Sequence, residues 1–484
     1  MASVAKDLVR ELAEAKARRT APLLLELDLT LGLFDGVVTD PVGMALAYRK
    51  TSLRDVVDGL RRAGSDPRVR GLVARVGGPR TGLARAQELR DAVLAFRRAG
   101  KPAVAWAETL GEHGVGTVPY YLASAFDEVW LQPSGHLNLT GVAVEVPFLR
   151  DALAKAGITP EIGRRHKYKG FPDTLLERGF TPAHREATER VVASVADQVV
   201  AGIAEGRRLP PERVRALVDQ GPLLAREAVD AGLVDRLAYR DEVYDEVRRR
   251  LGADVRLRYV GRYRKAAGDG RWAGRLPPRP KDTIALVHVT GAIRLGRSGR
   301  SPLTGTAAGS DTVAAALRRA TRDDDVKAIV LRVDSPGGSY VASDTIWRQV
   351  VLARRAGTPV VVSMGNVAGS GGYFVSTAAD VIVAEPGTLT GSIGVFAGKQ
   401  VLSGLLGKLG VTRDSVAVGE HALMFSTQRG FSEGEWERLN RWLDVVYDDF
   451  TAKVAQGRRL SRAQVEQVAR GRVWTGADAR ERGL

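Results

Sequence analysis

Thr358 to Asp380 reads TPVVVSMGNVAGSGGYFVSTAAD, and the rest of the chain is organised around it. Pro359 to Ser363 is a short Val-rich apolar run, the pattern of a buried strand. Gly365 to Gly372 is small and Gly-rich, which predicts a tight turn with close backbone approach. From Tyr373 the pattern predicts a helix ending near Asp380. Ser370 therefore falls at a strand–turn–helix junction. A hydroxyl there can point into a cleft, with the helix N-terminus behind it to favour negative charge. The same Ser can also be no more than a helix cap.

Working outward, the strand and the helix before it recur elsewhere in the chain. Leu60 to Pro102 aligns without a gap with Leu317 to Pro359. Each reads helix, polar turn, apolar strand, Gly/Pro loop, helix, then a Gly-containing turn into the next strand. The repeat continues: Tyr120 to Asp127 matches Tyr373 to Asp380, Gly141-Val142 matches Gly394-Val395, and Gly206 to Leu209 matches Gly457 to Leu460. Small insertions sit in the first copy. Alternating strands and helices predict an α/β fold with largely parallel pairing, built twice in tandem. The first repeat is expected over residues 21–261 and the second over 283–484. Arg262 to Asp282, basic and rich in Gly and Pro, reads as a linker. Residues 1–20 form an extension in which Val4, Leu8, Val9 and Leu12 fall on one helical face. The first copy runs on past Gly232-Leu233 into a further helical pattern that the second, ending at Gly483-Leu484, does not repeat.

Composition bounds the function. Apolar content of 44% and charged content of 26% describe an ordinary globular protein, long enough for two or three cores. With no Cys, disulfides and thiolate metal sites are excluded. The net charge of +16 raises nucleic acid or an anionic membrane as partners. The Arg residues are scattered, often in helical pairs such as Arg61-Arg62 and Arg354-Arg355, and form no aromatic-studded groove. No nucleic-acid partner is expected, and membrane contact, if any, is peripheral. Residues 1–20 lack the apolar core of a signal peptide, and no stretch reaches the length of a transmembrane helix. A cytoplasmic or membrane-peripheral location is expected.

Differences between the copies point to chemistry. After its strand the second copy has Asp334-Ser335-Pro336-Gly337-Gly338, where the first has Gly77-Gly78-Pro79-Arg80-Thr81. Adjacent glycines let backbone N–H groups turn toward a ligand, as an oxyanion hole requires, or simply make a turn. The second copy has Gly369-Ser370-Gly371-Gly372; the first has Gly111-Glu112-His113-Gly114 and no Ser at the junction. Conversely, Arg164 to Gly170 carries Lys167 and Lys169, whereas the matching Ala417 to Leu423 has no Lys. One half thus offers a hydroxyl and the other an amine. A buried Lys with a lowered pKa can activate a Ser. Lys169 in solvent would be only one charge in a basic run. Six His residues compete for the role of base, with His166 and His421 nearest in sequence to these segments, and none has metal-site spacing.

Taken together, four motifs resemble the bacterial signal peptide peptidase A family in its long, duplicated form. They are Ser335 to Gly338, Ala368 to Tyr373, Thr390 to Val395 and Arg472 to Gly476. The resemblance covers nearly everything after Ala21 and implies a fold similar to ClpP and the crotonases. It implies Ser370 as nucleophile and Lys169 as general base, with Lys167 a less suitable substitute. It further implies Ser392 as a hydrogen-bonding support for the Lys, and Gly337 and Gly338 as the oxyanion loop. The expected activity is that of a serine endopeptidase hydrolysing signal-peptide remnants or unfolded polypeptides, with no metal, nucleotide or other cofactor. A homotetramer is implied. The membrane anchor common in the family has no counterpart in residues 1–20. Two rivals remain at this point: a crotonase-like acyl-CoA enzyme, and a non-catalytic scaffold that binds peptides.

Overall fold

A computed structural model describes residues 21–30, 32–36, 51–77, 81–111, 114–252, 254–263, 282–301, 305–418 and 420–484. The amino-terminal extension, most of the expected linker, Gly78 to Arg80, and Glu112 and His113 of the first copy's turn lie outside the described residues. The chain divides into two compact units, Met1–Val142 with Ala196–Arg279, and Ala143–Val195 with Pro280–Leu484.

The first unit is built on a six-stranded parallel sheet. Its strand order is Arg236–Leu237, Glu128–Leu131, Ala103–Ala107, Val69–Arg75, Leu23–Asp28, Arg256–Tyr259. The central strands are almost wholly buried, as a parallel sheet covered on both faces requires. Trp106 and Trp130 are among the largest buried side chains of this layer. The helix Leu53–Ser65 starts where Ser52 Oγ accepts from the Asp55 N–H at 3.0 Å.

The second unit repeats the plan. Thr283–Thr290, Val326–Ser335 and Val360–Gly369 pair in parallel, with Val381–Val383 beside the last. These four strands follow the order of the first unit's Leu23–Asp28, Val69–Arg75, Ala103–Ala107 and Glu128–Leu131, as the repeat predicts. Leu389–Gly391 then extends the sheet in parallel and Val473–Thr475 closes it antiparallel. Val289, Leu331, Val333, Val360 and Val362 are fully buried, with Phe374 and Phe450 packed on them.

Sequence repeat and packing divide the chain differently. Residues 143–195 belong to the first copy by sequence but to the second unit by packing. The reason is a two-stranded antiparallel ribbon: Thr159–Arg165 pairs with Val395–Val401, Arg165 opposite Val395. The long helix Pro182–Arg207 carries the chain out of this segment, and Ser194 Oγ lies 2.8 Å from Thr475 Oγ1. Among the described residues no helix is long and apolar enough to cross a membrane.

Candidate active site

The strand Val360–Gly369 ends at Ser370, which adopts φ +52° and ψ −118°. Positive φ is costly for a residue with a Cβ and is tolerated where the surroundings enforce it. Here the Ser370 N–H donates to the Gly391 carbonyl at 2.9 Å, and the Ser370 carbonyl accepts from the Phe374 N–H at 2.8 Å. The helix that follows spans only Gly371–Ser376, shorter than the sequence predicts. Ser370 stands at the cap position, yet its side chain makes no capping hydrogen bond. The hydroxyl is therefore available for another partner.

That partner is Lys169. Its Nζ lies 3.1 Å from Ser370 Oγ, 2.8 Å from the Ser392 carbonyl and 3.0 Å from Ser392 Oγ. All three residues belong to the second unit. Lys169 is 4% exposed, and burial alone lowers its pKa from 10.5 to about 7. No carboxylate bonds the amine among the described residues; its partners are two hydroxyls and a carbonyl. Such a group is partly neutral at physiological pH and able to accept a proton. Ser392 is held in its own positive-φ conformation, φ +52°, with its N–H donating to the Arg472 carbonyl at 2.6 Å.

The other candidates fall elsewhere. Lys167 is exposed, its Nζ over the Tyr168 ring at 5.1 Å. His166 packs its ring edge-on to Tyr447 at 4.6 Å, and His421 bonds Arg438. Among the described residues no histidine bonds the Ser370 hydroxyl.

Gly337 and Gly338 lie against the Ser370 turn but do different things. The Gly337 N–H donates to buried Ser335 Oγ at 3.1 Å and is thereby occupied. The Gly337 carbonyl accepts from Ile293 and the Ser339 N–H donates to the Ile293 carbonyl, leaving the Gly338 N–H between them facing the other way. A Cβ built on Gly371 would sit 3.2 Å from the Gly338 nitrogen, so these two backbones are nearly touching. Gly338 and Gly371 thus lie side by side next to Ser370. Gly338 has φ +152°, and a Cβ there would lie 2.1 Å from the Ile293 carbonyl oxygen. Gly338→Ala is expected to displace this loop and lower kcat about a hundredfold, with a far smaller change in KM, the signature of a lost oxyanion donor. Steady-state peptide hydrolysis checks it.

Gly471 is a site residue that the sequence reading missed. It has φ +89°, and a Cβ there would come within 2.4 Å of the Lys169 backbone nitrogen and 2.7 Å of the Lys169 Cβ. Its N–H donates to the carbonyl of Ile393, the residue after Ser392, at 2.7 Å. Gly471 directly precedes the Arg472 to Gly476 motif, and that adjacency was the only signal available in the sequence.

A cavity of about 860 Å³ opens on Lys169, Ser370 and Gly338. Val144, Val146, Phe171, Val395 and Phe396 give it an apolar wall. The Phe171 and Phe396 rings lie 5.0 Å apart, and Phe171 is 56% exposed.

Residues 95–255 and 352–484 match the model of peptidase family S49. The chain belongs to peptidase family S49. Membership makes it a serine peptidase by class, which removes the acyl-CoA enzyme from consideration. Its relatives include the chloroplastic serine protease SPPA of Arabidopsis thaliana, 32% identical over 90% of this chain and 63% of that protein. Protease 4 of Salmonella typhi is 33% identical over 90% of this chain and 70% of that protein. Protease 4 of Haemophilus influenzae is 32% identical over 90% and 71%. The S49 chain thus spans 63% to 71% of the length of these curated relatives. Among solved structures, a ClpP1 mutant from Listeria monocytogenes matches 41% of this chain and 86% of that one at 15% identity. Its TM-score of 0.26 is too low to argue from.

Proposed function

We propose that this S49 peptidase cleaves peptide bonds with a Ser370–Lys169 dyad. The observation that carries the reading is the 3.1 Å contact between Lys169 Nζ and Ser370 Oγ, made by an amine whose pKa burial has lowered. Neutral Lys169 takes the hydroxyl proton as Ser370 Oγ attacks the carbonyl carbon. The tetrahedral oxyanion is held by the N–H groups of Gly338 and Gly371. The ammonium then gives its proton to the departing amine, and the acyl-enzyme is released by water activated at the same nitrogen. Ser392, through Oγ and its carbonyl, keeps the lysine aimed at Ser370 in both protonation states. The donor pair and the dyad make a complete set for acyl transfer from this chain's own residues.

The substrates proposed are extended polypeptides, including signal-peptide remnants and unfolded segments. The apolar wall of Val144, Val146, Phe171 and Phe396 suits apolar side chains of such a strand. A homo-oligomer, a tetramer by family resemblance, is part of the same reading.

The deciding experiment is labelling with a fluorophosphonate followed by mass-spectrometric mapping of the adduct. A single adduct on Ser370 is expected. Stoichiometric modification of another residue, or none under conditions where the protein hydrolyses casein, overturns the assignment.

A further inference from the structure

Beneath the lysine lies a buried charged cluster that proton transfer itself does not use. Asp173 is fully buried. Its Oδ1 accepts from Arg164 Nη1, and its Oδ2 accepts from Thr181 Oγ1 at 3.0 Å and lies 3.3 Å from His184 Nδ1. Arg164 Nη1 also donates to the Lys169 carbonyl at 3.2 Å. The Asp173 N–H donates to the Gly170 carbonyl at 3.0 Å, and the Lys169 N–H to the His166 carbonyl at 3.1 Å. The loop between the strand Thr159–Arg165 and Asp173 is therefore closed by one ion pair, with Lys169 strung across it. Arg164 is anchored in turn by the ribbon, where it stands opposite Phe396.

We propose that Arg164 and Asp173 are positioning residues for Lys169, an ion pair between a fully buried carboxylate and a part-buried arginine whose guanidinium also grips the lysine's carbonyl. This rests on the dyad reading above. The physical argument has two parts. A buried carboxylate without a partner is strongly unfavourable, so the pair holds together and the loop with it. The pair is also net neutral, so its two opposite charges cancel at the nearby amine; burial is the one cause of the lysine's depressed pKa. Of the other charged groups around the loop, Lys167 is exposed to solvent, with its Nζ over the Tyr168 ring. Arg472 lies over the Tyr168 ring at 3.6 Å and pairs with Glu186 at 2.7 Å. His184 is kept toward its neutral form by burial, against the pull of Asp173.

Removing one member should unbalance the site in a direction set by its sign. Arg164→Gln leaves a carboxylate that favours the ammonium, so the pH midpoint of Ser370 labelling moves up by about one unit. Asp173→Asn leaves a guanidinium that disfavours it, so the midpoint moves down. The double variant Arg164→Gln/Asp173→Asn restores the wild-type midpoint, while the plateau rate stays about tenfold or more below wild type because the tether is gone. The experiment is the fluorophosphonate labelling rate of the full chain from pH 5 to 10 for these variants, with thermal melts to establish folding. Arg164→Lys, which keeps the charge on a shorter side chain without the planar guanidinium, is measured alongside and should lower the plateau without moving the midpoint. Midpoints that stay put in both single variants, or that move in the same direction, overturn the proposal. If wild-type labelling maps away from Ser370, the dyad reading itself fails; if it maps to Ser370 and the variants keep the wild-type profile, only the positioning role fails.

Discussion

Ser370→Ala is expected to abolish peptide hydrolysis, by about a millionfold in kcat, while the protein stays folded. The loss is large because, among the described residues, the hydroxyl is the only nucleophile bonded to Lys169 Nζ apart from Ser392 Oγ, which is 3.0 Å from it. Stability should change little, since Ser370 Oγ makes no capping bond and Lys169 keeps its two contacts to Ser392. The backbone offers a sharper comparison. At φ +52° a Cβ is strained whether it belongs to Ser or Ala, whereas Gly is not. Ser370→Gly should therefore be equally inactive yet more stable than Ser370→Ala by about 1 kcal/mol. Hydrolysis assays with paired denaturant melts check both parts. Residual turnover within a hundredfold of wild type in either variant would move the nucleophile elsewhere.

Lys169→Met should also be severely damaging to turnover, though less so than Ser370→Ala, and, unlike most core substitutions, should stabilise the fold. General-base loss typically costs up to about 10⁴-fold. In the wild type, hydrolysis should rise as pH passes through about 7, because the lysine must be neutral to accept the proton. The stability effect has the opposite origin. The folded pKa of about 7 lies below the usual 10.5, so between those values the unfolded chain binds the extra proton. The penalty of burying the amine is fully present at and below about pH 7 and fades as pH rises toward 10.5. That penalty is about 5 kcal/mol. Three lost hydrogen bonds offset about 1 kcal/mol each. A net gain of about 2 kcal/mol is expected for Lys169→Met at pH 6.5, shrinking or reversing by pH 10.5. Denaturant melts at the two pH values measure it. A variant less stable than wild type at pH 6.5, by a margin that pH does not alter, contradicts the buried-amine account.

Much of this protein was written in its sequence. The ungapped match of Leu60 to Pro102 with Leu317 to Pro359 determined two α/β sheets of one strand order, because apolar runs of that length between amphipathic helices bury only as parallel strands. Asymmetry between the copies singled out Ser370 and Lys169, since packing residues persist in both halves while Ser370 and Lys169 each stand in only one. What the tertiary structure alone decided is where the amine goes. Residues 143–195 leave their own copy and join the second unit through the ribbon of Thr159–Arg165 with Val395–Val401, a pairing between residues more than two hundred positions apart that no local pattern encodes. The lysine's depressed pKa and the closeness of Gly471 to Lys169 follow from that same docking. Burial and backbone approach are properties of surfaces brought together, and a linear pattern of residue types does not contain them.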